Sequence, residues 1–177
     1  MIVSVEELLT YPEFSGQDAE ILGKKLEAVE ILIRKYTNNN FQNRDIRFYA
    51  SSEGNVLDGV SAYLKVGDTV QISQSGVNDG LYVVNGIDLD NGKTTLNKHM
   101  FTMDWNLVTK IEYPVDVVFG VVNLMKWEIS NREKVGIKQE TLSRHSVTYY
   151  DQDASNTVMG YPVSLLGFLD LYKKARF

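Results

Sequence analysis

Residues Pro114–Arg132, PVDVVFGVVNLMKWEISNR, constrain the fold more than any other stretch of the chain. Val115, Val118, Val122, Met125 and Ile129 recur every three or four positions, which places them on one face of a helix. Val117, Val121 and Leu124 form a second row beside the first, and Phe119 and Trp127 widen it. Only Asp116, Asn123 and Ser130 make a polar stripe. A helix so apolar around its girth is covered on several sides, and part of that cover is expected from other subunits. The valine-rich half, Val115–Val122, also has strand propensity. Length decides for the helix, because strands usually stop after about 8 residues and this pattern continues to Trp127. Pro114 suits the first helical position, where its missing N–H costs nothing.

Two further helices are expected near the start. Ser4-Val5-Glu6-Glu7 matches a capping box opening a short helix that Tyr11-Pro12 stops. Ser15 is then expected to cap a longer helix, from about Gln17 to Tyr36, striped by Leu22, Leu26, Val29, Ile33 and Tyr36. Asn38 and its neighbours end it, since Asn tolerates the left-handed conformation common there. The next seventy or so residues are of different character. Thr69–Gln74 alternates apolar with polar, Leu81–Val84 is strand-like, and Asp90-Asn91-Gly92-Lys93 is a hairpin signal in which Asn-Gly accepts positive φ at both turn positions. Further short strands are expected near Ile46–Ala50, Thr94–Leu96 and Leu107–Tyr113.

After the long helix, Ser146–Tyr150 has strand propensity but no evident local partner, Asp151–Gly160 reads as a loop, and Pro162–Arg176 reads as a final helix. The sequence thus predicts an α+β chain. Residues 1–43 and 114–177 would form a small helical bundle core, and 44–113 an inserted β-barrel-like subdomain of SH3 or OB type.

Charge and composition exclude several function classes. The net charge of −5 argues against broad nucleic-acid affinity, which rests on Lys and Arg neutralising phosphates. Residues 1–43 hold seven acids against four bases, 44–113 nine against six, and 114–177 seven against eight. The last seven residues, LYKKARF, carry three cations and no anion. Cys is absent, so thiolate metal sites and disulfides are excluded. No run approaches the ~18 apolar residues of a membrane span, and residues 1–15 lack the layout of a signal peptide.

Catalytic signatures are missing as well. No phosphate-binding glycine loop, dinucleotide fingerprint, H-E-x-x-H or G-x-S-x-G occurs. Asp88–Gly92 is a tight hairpin in preference to a calcium loop, because Gly92 stands fifth and His99 twelfth where Gly sixth and Glu twelfth are required. His99 and His145 are the only histidines and lack ligand-like spacing. Ser143-Arg144-His145-Ser146 reads as a polar edge, since triads are assembled across a fold. Phe48, Tyr49, Tyr63 and Tyr82 could stack bases on a barrel surface, although the acidic balance of their segment opposes it. No catalytic residue, cofactor or metal is expected. The alternative to a structural role is a nucleic-acid-binding module on the β segment.

Pro114–Trp127 followed by Gly136-Ile137-Lys138-Gln139-Glu140-Thr141-Leu142-Ser143-Arg144-His145-Ser146-Val147-Thr148-Tyr149 resembles the head–tail connector adaptors (head-completion proteins) of tailed bacteriophages and prophages. The closing Leu169-Asp170-Leu171-Tyr172-Lys173-Lys174-Ala175-Arg176-Phe177 and the helices at Val5–Thr10 and Gln17–Tyr36 are similar too. The resemblance covers roughly residues 1–40 and 114–177. The β segment departs from the shortest, nearly all-helical members.

The resemblance implies a structural virion protein at the head–tail interface, made in the host cytoplasm. It would form a homo-oligomeric ring, expected to be a dodecamer, under the portal protein. That ring extends the DNA channel and offers the tail or a stopper protein a joining surface; genomic DNA passes without sequence-specific binding, and no membrane is involved. From its charge, the acidic excess is expected to line or surround the channel so that DNA slides without sticking. Leu166, Leu169, Tyr172, Lys173, Lys174, Arg176 and Phe177 are the expected portal-docking residues. Aromatics and Arg anchor interfaces, and cations steer encounter. Val117, Phe119, Val121 and the strand Ser146, Val147, Thr148 and Tyr149 are the expected inter-subunit residues, the strand adding to a neighbour. Another virion joining or tail-terminator role is the nearest alternative.

Overall fold

Apolar rows at helical spacing become helices in the computed structural model, which describes residues 1–131, 139–142, 145–148, 157–158 and 160–175. By contacts the chain divides into two units, Met1 with Asn40–Tyr113, and Ile2–Asn39 with Pro114–Phe177.

In the second unit, α1 spans Val5–Leu9, and Ser4 caps it by accepting the Glu7 N–H at 3.0 Å. Helix α2 spans Ala19–Thr37. Its cap is Asp18, not Ser15: one carboxylate oxygen accepts the N–H groups of Glu20 and Ile21 at 2.8 and 3.0 Å. Asp18 adjoins the first helical residue and adds a negative charge at the positive end of the helix dipole. At the other end Asn38 takes the left-handed conformation, φ 49°. Leu22, Leu26, Val29 and Ile33 are buried along one stripe.

Helix α3 spans Val115–Asn131, and the Pro114 carbonyl accepts its first bond from Val118 at 3.1 Å. Val117, Val121, Leu124 and Met125 are buried. Gly120 is a packing notch, since a Cβ there would lie 2.4 Å from the Phe168 ring. The expected final helix over 162–176 is replaced by two 3-10 turns, Val163–Leu165 and Gly167–Tyr172. Leu166 and Leu169 are buried and Tyr172 is half-buried, a spacing of three that suits the tighter turn. Gly167 further weakens an α-helix there.

The first unit is built on strands β1 (Gln42–Asp58), β2 (Thr69–Ser73), β3 (Gly80–Asp88) and β4 (Lys93–Ile111). They form one antiparallel sheet in the order β1-β4-β2-β3, and the start of β4 also pairs with β3, from Val84↔Leu96 to Asp88↔Lys93. Leu57, Val70, Ile72, Val84, Leu96, Met100 and Val108 supply its core.

Among the described residues neither the closed SH3- or OB-like barrel nor the helical bundle core is found. The chain is a mixed α/β structure, and its principal sheet has four strands. Five or so short strands were the basis of the barrel reading. Instead, β1 and β4 run for 17 and 19 residues and take up curvature through register shifts along a single pair. The bundle fails because the last helical segment is 3-10 and only α2 and α3 among the described elements exceed two turns.

The Asn-Gly turn does join β3 to β4, but Gly92 alone takes positive φ (68°). Asn91 instead donates its N–H and side-chain amide to Asp88 at 3.0 and 2.7 Å. The segment from Ser146 is not without a local partner. Strand β6 (His145–Thr148) pairs antiparallel with β5 (Gln139–Leu142), from Gln139↔Thr148 to Leu142↔His145. Two short strands pair near the expected loop: β7 (Thr157–Val158) lies within it, and β8 (Tyr161–Pro162) takes in the residue where the final helix was expected to begin. No described helix is long and apolar enough to cross a membrane.

A buried polar network ties the β2–β3 loop to the long ribbon. The Asn78 amide donates to Ser52 Oγ (3.1 Å), the Phe101 carbonyl (2.9 Å) and Asn106 Oδ1 (3.2 Å), and its own oxygen accepts the Phe101 N–H at 2.8 Å. Asn106 donates in turn to the Ala50 carbonyl at 3.0 Å.

Truncating Asn78 strands several of these groups, so N78A is expected to cost about 2 kcal/mol or more. A urea midpoint unchanged from the parent would show the network to be dispensable. At the helix notch, G120V should cost roughly 2 kcal/mol by overpacking against Phe168. In an F168A background the same change should cost almost nothing; equal costs in both backgrounds would sink the assignment.

Candidate interaction surfaces

The terminal segment is held by its own unit, and the two ends of α2 and α3 supply the grip. Leu166 and Leu169, expected at a portal interface, are buried and serve as core. The Tyr172 hydroxyl donates to both carboxylate oxygens of Asp116 at 2.8 and 2.9 Å. Lys173 Nζ stands 4.2 Å from the Tyr36 ring centroid, 2.8 Å from its hydroxyl and 2.7 Å from Asp170. The Lys174 N–H donates to the Thr37 carbonyl at 2.7 Å. Asn38 and Asn39 donate side-chain amides to the carbonyls of Ala175 (2.9 Å) and Tyr172 (3.2 Å). A lysine ammonium beside Tyr36 also sits at the negative end of α2, a favourable place for a cation. The side chain of Lys174 is exposed, and Arg176 and Phe177 lie outside the described residues.

Electrostatics follow from these contacts. The hydrogen bond to Asp116, with burial and the carboxylate charge adding to it, holds the Tyr172 hydroxyl above its ordinary pKa. Asp170, then Tyr36, raises that of Lys173. Elsewhere in the unit, Lys126 lies 2.7 Å from Glu13 and holds its carboxyl below the usual range.

The expected inter-subunit residues separate into different environments. Val117 and Val121 are buried, whereas Phe119 is 58% exposed, as is Val115 at 70%. Val115 and Phe119 are four apart and share a face. Ser146, Val147 and Thr148 lie on β6, and Tyr149 falls outside the described residues.

On the β unit, Tyr49 stacks on Trp105 with ring centroids 4.2 Å apart, and both are exposed. Phe101 and Tyr63 are exposed too. Phe48 packs on the core instead. Tyr82 is half-buried, donates to the Asn78 carbonyl at 2.9 Å, and is held above its ordinary pKa by burial and then Asp79. Nearby runs a groove of about 650 Å³ lined by residues including Ser51, Glu53, Asp58, Lys93, Met103 and Asp104. Among the described residues no group of three or more His, Asp or Glu is placed to hold a metal ion.

Asp116, Tyr36, Asn38 and Asn39 carry the terminal dock, yet their sequence signal was only that of polar stripe, helix stripe and helix end. Trp105 had no signal beyond being one of two tryptophans. No family model matches the chain, and no curated protein matches it.

The neutral Tyr172 hydroxyl donates to Asp116, so its contribution to docking is complete below the ordinary tyrosine pKa of about 10 and is lost as pH rises through its own raised value. Lys173 acts in the same direction. The stability difference between the parent and Y172F should therefore be flat through neutral pH and shrink in alkali. A difference that grows in alkali would contradict the Tyr172–Asp116 bond.

Proposed function

We propose that this chain is a structural, non-catalytic virion subunit: a head–tail connector adaptor whose copies form a ring under a portal, extend its channel and present the tail-joining surface. The observation that carries the reading is the face of α3 bearing Val115 and Phe119, left 70% and 58% exposed while Val117, Val121, Leu124 and Met125 of the same helix are buried. Burying such side chains gains about 2 kcal/mol each. The gain repeats at every contact around a closed ring, where one face of each copy meets a different face of the next. The resemblance of residues 1–40 and 114–177 to the adaptors supports the same reading.

The self-contact is assigned to Val115 and Phe119 in place of Val117 and Val121, whose side chains are already spent. The β5–β6 ribbon supports a second contact. Its strands pair only with each other among the described residues, and two strands alone are marginal. A neighbour's strand added at its edge would extend the ladder. At the terminus, Leu171 is 91% exposed and Lys174 is exposed. These two side chains, with the exposed Lys173, are available to a portal where Leu166 and Leu169 are not.

The test is F119D, examined by negative-stain microscopy of the chain alone and mixed with its portal, with thermal melting in parallel. Rings in the parent and none in the variant, at an unchanged melting temperature, is the expected result. Rings that persist in the variant would reject the α3 face, and no ring or portal-bound annulus in the parent would reject the reading itself.

A further inference from the structure

The long β1–β4 pair is broken in a regular way. Ala50 faces Asn106, Ser52 faces Met103, and Gly54 faces Met100. Between these pairs, Ser51 alone stands against Asp104 and Trp105, and Glu53 alone against Phe101 and Thr102. Each is a bulge with two residues opposite one, a device that re-aims side chains. The result is a crowd of outward groups. Phe101, Thr102, Asp104 and Trp105 are all exposed on β4, with Tyr49 and Glu53 exposed on β1.

Two features that adjoin along β1 and β4, the groove and the ring stack beside it in sequence, point to one kind of occupant. The first is charge. Glu53, Asp58 and Asp104 line the groove against a single cation, Lys93, which also stands opposite Asp88 in the ladder. None of those three lining carboxylates forms an ion pair among the described residues. The second is the Tyr49–Trp105 stack, two half-exposed rings of the kind that attract a cation, a guanidinium above all. Met103 lines the groove with an adaptable apolar side chain.

We propose that this face binds an extended polypeptide segment of a partner protein rich in arginine and lysine. Its cations meet Glu53 and Asp104, one guanidinium lies against Trp105, and an intervening apolar side chain rests on Met103. Nucleic acid would bring phosphates against the carboxylates.

The test uses the full chain carrying W127F, which leaves Trp105 as the single tryptophan. A peptide alternating arginine with valine is titrated while Trp105 emission is followed, beside the glutamate–valine counterpart, spermidine, and a short DNA duplex. Saturable binding of the arginine peptide alone is expected, weakening as salt is raised. E53Q/D104N should reduce its affinity roughly fivefold to tenfold, the scale of two lost exposed charge contacts. Anisotropy of a fluorescein-labelled peptide on the unsubstituted chain gives the same comparison if W127F does not fold. Equal binding of the glutamate peptide, an equal response to spermidine or DNA, or an affinity unmoved by E53Q/D104N in a folded chain would each overturn the proposal.

Discussion

Strand β4 has to satisfy three neighbours at once, and the β unit takes its form from how it does so. Leu107–Ile111 is flanked by β1 on one edge and β2 on the other, while Lys93–Leu96 is shared between β1 and β3. Both ends are therefore fixed, and four of the five residues from Leu107 to Ile111 are buried. The slack between them is taken up by bulges. Asn78 closes this middle by bonding to Phe101, Asn106 and Ser52, so the irregular stretch is anchored from beneath while its outer side chains gather at the surface. Backbone economy inside the sheet thus decides which residues are presented outside it.

The other unit solves a different problem, which is how to close over two apolar helices without a third long one. A pair of 3-10 turns does it, because a repeat of three sets Leu166 and Leu169 inward on a short path. Gly120 lets the Phe168 ring come against α3. The closure is partial. It buries Val117, Val121, Leu124 and Met125 and leaves Val115 and Phe119 outside, and that remainder is what a structural, self-associating role would use.

Much of the local structure was legible in the residues. The apolar rows of α2 and α3, the Ser4 cap and the alternation of Thr69–Ser73 are carried by short-range spacing, which a sequence displays directly. Asp18 rather than Ser15 caps α2 because the helix begins at Ala19, later than the expected Gln17, and Asp18 directly precedes it. Turn signals suggest short strands and a closed barrel, whereas β1 and β4 continue through places that look like interruptions, including Gly54. In the terminal segment the apolar density is plain, but the choice between repeats of three and 3.6 rests on contacts with α3. The Tyr172–Asp116 and Asn39–Tyr172 bonds join residues more than fifty positions apart, and no local pattern announces them.

The hold that Asn38 and Asn39 keep on the closing stretch falls on carbonyls, and Thr37 receives a backbone N–H. These are groups that nearly every amino acid possesses. The seat at the end of α2 is consequently blind to the identity of residues 174 and 175, whose side chains are free to drift over generations or to be redesigned for a different attachment, while the ribbon that carries them stays where it is.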